Sequence, residues 1–110
     1  MSYKVLGQQN PAANTLVDIY TVPASNSAVI STLTICNLDA SANAEIRCAV
    51  RPAGATISNE HYIVYDATVT GNETFGLTFG ITMAATDVMS VRSTTANVSF
   101  NLYGSEITNI

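Results

Sequence analysis

The residues best able to do chemistry lie close together in the second half of the chain. His61, the one histidine, follows Glu60 and precedes Asp66 by five positions. An imidazole among carboxylates is the equipment of a general base and the group that orients it. Such a base needs a nucleophile and an oxyanion donor converging on one point. No G-x-S-x-G turn provides them, and serine is simply abundant. His61 is therefore expected to pack at a strand end or in an interface. Metal chemistry fares no better. Cys36, Cys48 and His61 are too few, at these spacings, for a zinc site. Asp39, Glu60, Asp66, Glu73 and Asp87 fall near expected strand ends, where carboxylates can gather around calcium. No D-x-[DN]-x-[DN]-G loop organises them. Gly76, Gly80 and Gly104 are spread through strands rather than clustered as a phosphate cradle. The expectation is no enzyme, no cofactor, no metal, and no catalytic or cofactor-binding residue.

Weaker signals remain. Tyr3, Tyr20, Tyr62, Tyr65 and Tyr103 could stack on sugars, but without Trp and without a visible cluster they are expected at the edges of a core. Asn72-Glu73-Thr74 and Asn97-Val98-Ser99 match the glycosylation pattern, which arises readily by chance in a chain this rich in Ser, Thr and Asn. Two cysteines without a secretion signal do not make a disulfide framework, so Cys36 and Cys48 are expected as free, small core residues.

The elements that position these residues are strands. Residues 15–22 form one run. Residues 28–38 form the longest, with Val29, Leu33 and Ile35 on one face. Residues 44–51 alternate cleanly, and with 28–38 they are expected to form an antiparallel hairpin turning at 39–43. Residues 61–66 add a short strand. The most regular block is 73–107, where Phe75, Leu77 and Phe79, then Met89 and Val91, then Val98, Phe100 and Leu102 recur at every second position. It is read as three successive strands forming one wall, with 80–87 as a connection and 94–97 as a hairpin turn. Eight short strands with no helical pattern predict an all-β fold: a single antiparallel β-sandwich of jelly-roll type spanning residues 1–110. Residues 1–11 are expected to be an N-terminal arm or short strand, and 105–110 a polar C-terminal tail.

Composition bears on partners. Charged residues are 11% of the chain, about half the usual share of roughly 25%. Ser, Thr and Asn take their place. Charged residues are depleted in interface cores, so this surface suits packing against other subunits. The net charge is −4, and Lys4, Arg47, Arg51 and Arg92 are the only fixed positive charges. Nonspecific nucleic-acid binding, which needs clustered Lys and Arg, is not expected. No apolar run reaches the length of a membrane span, and the first residues lack the apolar run of a signal peptide. The protein is expected to be made and assembled in a cytoplasm, with no membrane partner.

Six phrases carry a resemblance: YTVPA at 20–24, AVISTLTICN at 28–37, VRPAGA at 50–55, HYIVYD at 61–66, GITMAATDVMSV at 80–91 and NVSFNLYGSEI at 97–107. Together they resemble small virion structural proteins of tailed bacteriophages, notably phages of cyanobacteria. The resemblance implies a particle component and no functional residue. The resemblance does not fix which part of the particle; the leading expectation is a capsid decoration or cement protein binding across capsid subunits. A tail, neck, baseplate or fibre component is the alternative, and a host-surface carbohydrate-binding module is a further one. The implied partners are other virion proteins, either the major capsid protein or tail proteins. Further copies of the chain are expected too, in a homo-oligomer such as a trimer. The segments expected to make contacts are 3–8, 52–60 and the C-terminal tail, because loops and termini carry binding on rigid β scaffolds.

Overall fold

The structure, a computed structural model, describes residues 2–109. Eight strands follow one another: β1 (Ser2–Gln9), β2 (Val17–Thr21), β3 (Asn26–Asn37), β4 (Ala44–Arg51), β5 (Tyr62–Val69), β6 (Thr74–Met83), β7 (Val88–Ser93) and β8 (Val98–Thr108). Two short 3-10 turns, Pro52–Gly54 and Asn59–His61, lie between β4 and β5. The strands form two four-stranded sheets, in the orders β1-β8-β3-β6 and β2-β7-β4-β5. Every ladder is antiparallel. The pairs β1·β8, β2·β7, β3·β6 and β4·β5 are nested, as though one long hairpin with its tip between β4 and β5 had been wound around the core. This is the eight-stranded jelly roll, in which the two sheets bury their inner faces against each other.

Period two explains the inner faces. Ala44, Ile46 and Cys48 on β4, and Val98, Phe100 and Leu102 on β8, are all buried while the residues between them are mostly more accessible. Ile30, Leu33 and Ile35 from β3 and Met89 and Val91 from β7 complete the centre. Each fully buried side chain of this size contributes about 1.5–3 kcal/mol.

Three expectations fail, each for a physical reason. First, β3 and β4 do not form a hairpin; they lie in different sheets. Asn37, buried at the end of β3, donates from Nδ2 to the carbonyls of Ala42 (2.9 Å) and Val69 (3.0 Å), and its Oδ1 accepts the Asp39 N–H (3.0 Å). The Asp39 carboxylate then accepts the N–H groups of Ser41 and Ala42. The segment is thereby shaped as a crossover between sheets. Second, β7 and β8 are likewise split, so 73–107 is not one wall: β6 and β8 flank β3 in one sheet and β7 lies in the other. Residues 94–97 cross between sheets instead of closing a hairpin. Third, residues 80–83 belong to a continuous β6, and residues 105–108 to β8 rather than to a free tail. Of the two alternatives for the N-terminal residues, the strand is the one found: β1 pairs with β8.

Bulges correct the face assignments. On β8 the stretch from Gly104 to Leu102 faces Ile30 to Leu33 on β3 and Ile81 to Leu77 on β6, one further residue in each successive strand. The extra residue on β3 is Ser31, so Ile30, and not Val29, joins Leu33 and Ile35 inside. The same irregularity fans the sheet and increases its twist. Phe75, expected on the inner face, lies at the end of an edge strand and is 37% exposed. The side chain of Phe79 falls outside the described residues, as do Met1 and Ile110. Close backbone approaches need glycine at two positions: a Cβ on Gly7 would stand 2.0 Å from the Ile19 carbonyl oxygen, and one on Gly104 would stand 2.1 Å from that of Val29.

Polar groups fasten the first strands. Tyr20 on β2 donates its hydroxyl to Glu106 on β8, which also pairs with Lys4 on β1. Burial, then the Glu106 hydrogen bond and charge, raise the Tyr20 phenol. The hydrogen bonds from Lys4 and Tyr20 hold Glu106 below its ordinary value of 4.5.

Two measurements check this packing. Phe100, fully buried, should cost about 3–5 kcal/mol when changed to Ala; a loss below about 1 kcal/mol in denaturant melts would contradict a packed centre. The lowered Glu106 carboxyl contributes stability that is present above pH 4.5 and is lost as pH falls through its native value. Glu106→Gln should therefore flatten the acid limb of a stability-against-pH curve, and an unchanged limb would show that the carboxylate contributes nothing.

Candidate functional site

The two outer faces of the sandwich differ in kind. Asp18, Glu45, Arg47, Arg51, Asp66 and Arg92 all lie on strands of β2-β7-β4-β5. On β1-β8-β3-β6 the charged residues are Lys4 and Glu106, which pair with each other at one end. Much of that outer face is hydroxyl and amide, with Thr32 and Thr34 on β3, Ser99 and Asn101 on β8, and Thr74 and Thr78 on β6; Tyr103 and Cys36 share it. Gln8 continues it onto β1, donating to the Asn101 side chain at 2.7 Å. Tyr3 and Val5, both exposed, lie at its β1 margin.

The charged face contains two internal ion pairs, Arg51–Asp18 and Arg47–Asp66. Arg51 donates to Asp18 (2.7 Å), to Ser90 (3.2 Å) and to the carbonyls of Gly54 (3.1 Å) and Ala55 (2.9 Å). It covers Ser90, which is fully buried on the central strand β7. Asp87 accepts the N–H groups of Ala53 and Ala84. The start of the 52–60 segment, expected as a contact loop, is thus tied to the sheet by Arg51 and Asp87, with Ala53 and Gly54 both at positive φ.

Beside it is the one aromatic cluster among the described residues. Tyr62 and Tyr65 meet edge to face, with centroids 5.0 Å apart, a favourable arrangement for two rings. The Arg47 guanidinium lies over Tyr65, 4.0 Å from its centroid, and donates two hydrogen bonds to Asp66 at 2.7 and 3.3 Å. These rings are three residues apart, so a regular strand would send them to opposite faces. Between the two rings the ladder with β4 slips, from Val64 opposite Cys48 to Tyr62 opposite Ala49, which brings both rings to the outer face. Period-two reading missed the cluster for that reason, and nothing in the local sequence marks the slip. Arg47 holds the Asp66 carboxyl below the usual range, and Asp66 raises Arg47. With Asn59, the rings line an open cleft of about 410 Å³. Its ion pair is closed on itself, so the cleft offers aromatic surface and an amide, groups that suit a neutral ligand.

The other expected residues are dispersed. His61 accepts the Ser58 N–H at Nδ1, closing a local turn. Glu60 interacts with the same turn, which lowers its carboxyl. Asp39 caps its own turn and is held low by the Ser41 and Ala42 amides. Among the described residues no three His, Cys, Asp or Glu side chains are grouped to hold a metal. Cys36 and Cys48 are free and in different sheets. Cys48 is in the core, where burial pushes its thiol up to about 12. Cys36 is half-buried and alternates outward, a correction to the expectation of two core cysteines. Tyr20 is buried, and Tyr103 lies on the other sheet from Tyr62 and Tyr65. Among the described residues no helix is long and apolar enough to cross a membrane. A scan of protein-family models finds none that matches the chain, and a search of curated proteins finds no significant relative.

Arg51→Met should remove roughly 2 kcal/mol, since its charged hydrogen bonds tie three segments together. Urea melts read the loss, and limited proteolysis should show the 52–60 segment opening. A change under about 0.5 kcal/mol, the range of ordinary surface substitutions, would contradict this role.

Proposed function

We propose that the chain is a structural subunit of a bacteriophage virion, a decoration protein that binds across junctions between capsid subunits and acts without catalysis. The observation that carries the reading is the segregation of charge. One sheet face holds the ion pairs Arg47–Asp66 and Arg51–Asp18; the other, apart from the Lys4–Glu106 pair at one end, is a surface rich in Thr, Ser, Asn and Gln. Burying such a face removes no isolated charge from water, which is the cost that most opposes association. Many copies bound to an assembled shell and not to its dissociated subunits stabilise it by mass action. The jelly-roll architecture supports the reading by analogy only, since it serves viral capsid domains and also lectins. The sequence phrases that resemble phage structural proteins support it independently. The protein is then assembled in the host cytoplasm and located in the virion.

The Tyr62–Tyr65–Asn59 cleft favours one second reading, a module for neutral saccharides on a host surface. Quantitative mass spectrometry of purified particles separates the main alternatives. A copy number comparable to that of the major shell subunit is the expected outcome. A handful of copies per particle would place the protein in the tail, neck or baseplate. Glycan binding that is abolished by Tyr65→Ala, in a chain absent from particles, would support the second reading.

A further inference from the structure

The sandwich has four edge strands, and three of them carry charge. β1 carries Lys4 and a register shift at Leu6; β2 has five residues and includes Asp18; β5 contains Asp66 and two register shifts. Charges, bulges and shortness are the devices that stop an edge from recruiting another strand. β6 is ten residues long, with neither charge nor proline, and its one register shift against β3 falls between Thr78 and Ile81. Among the described residues it bonds to no strand but β3, and 74–78 runs in unbroken register with it.

The order of residues on β6 is palindromic by type about Thr78. Thr74, Gly76, Thr78, Gly80 and Thr82 alternate with the apolar Phe75, Leu77, Phe79 and Ile81. Two antiparallel copies related by a two-fold axis at Thr78 place Thr74 opposite Thr82, Gly76 opposite Gly80, Phe75 opposite Ile81 and Thr78 opposite itself. Every hydroxyl or glycine position meets its own kind, and apolar positions meet apolar ones. Such cross-strand pairs, Thr with Thr included, stabilise a ladder. Glu73, just before the strand, would fall at opposite ends of the pair, whereas a parallel in-register pair would set the two carboxylates together. The glycines add a separate observation. Glycine weakens a strand interior, yet neither has a positive φ and a Cβ on either would meet nothing within 4 Å. Nothing within the described chain requires them, and a strand glycine often marks close approach by another backbone.

We infer that β6 is a homodimerisation edge, pairing antiparallel with β6 of a second copy to join the two uncharged sheets into one continuous eight-stranded sheet. The symmetry is two-fold, in place of the expected trimer. This deepens the assembly reading and rests on it, but the two fail separately: particle copy number tests the role, and solution state tests the edge.

The test is sedimentation velocity on the whole chain. The wild type should be a dimer across the micromolar range. Gly76→Lys with Thr78→Lys, both at exposed outward positions, should give a monomer with an unchanged thermal melt, while Val5→Lys on β1 should remain dimeric. A second arm does not depend on that variant folding. In a Cys36→Ser background, Thr78→Cys should form a disulfide-linked dimer under mild oxidation, and Thr34→Cys should not. A monomeric wild type, a dimer that survives the double substitution, a dimer broken by Val5→Lys, or no crosslink at position 78 would each overturn the inference.

Discussion

Everything in this molecule depends on two apolar sheet faces that have only each other to bury against. Phe100, Leu102, Ile30, Leu33 and Ile35 on one side meet Ile46, Met89 and Val91 on the other. Neither four-stranded sheet is stable with its inner face in water, so the chain must deliver strands alternately to both. It does so at six of the seven connections; only β4 and β5 are consecutive within one sheet. Crossing repeatedly between sheets requires connections whose polar groups are satisfied without a ladder. Asn37 and Asp39 do this after β3, and Asp87 does it before β7.

That arrangement fixes what the outer faces can be. On the charged sheet Arg51 ties Asp18, Ser90 and the start of the 52–60 segment together. Across the sandwich, the outward positions of β3 and β8 are mostly Thr, Ser and Asn. The asymmetry explains how a chain with so few charges remains well paired yet keeps a broad uncharged surface. It also locates the expected contacts differently. Residues 2–9 and 105–108 are structural members of a sheet, and the 52–60 segment is anchored at its start. What remains open is a face and its β6 edge.

The fold class was legible because period two runs through β4, β7 and β8 without interruption. Strand partners were not legible. Turns at 39–43 and 94–97 have the composition of hairpin turns, and only the long-range bonds of Asn37 to Val69 and of Leu38 to Asn97 show them to be crossovers. Face assignment failed where a bulge intervened, at Ser31 on β3, because one extra residue inverts every side chain beyond it. A slip of the β5 ladder between Val64 and Tyr62 likewise concealed the Tyr62–Tyr65 cluster. The charge asymmetry could not be seen along the chain at all, since it emerges only when alternate strands are sorted into two sheets.

If the uncharged sheet is the surface through which copies assemble, its open backbone must be shielded in the assembled state. Hydrogen exchange read by mass spectrometry, on assembled and on diluted protein, addresses this directly. Amides across 74–83 should exchange rapidly when dilute and slow toward the rate of central β8 on assembly, while β5, the edge of the charged sheet, exchanges equally in both. Protection that develops on β5 and leaves β6 open would contradict the claim.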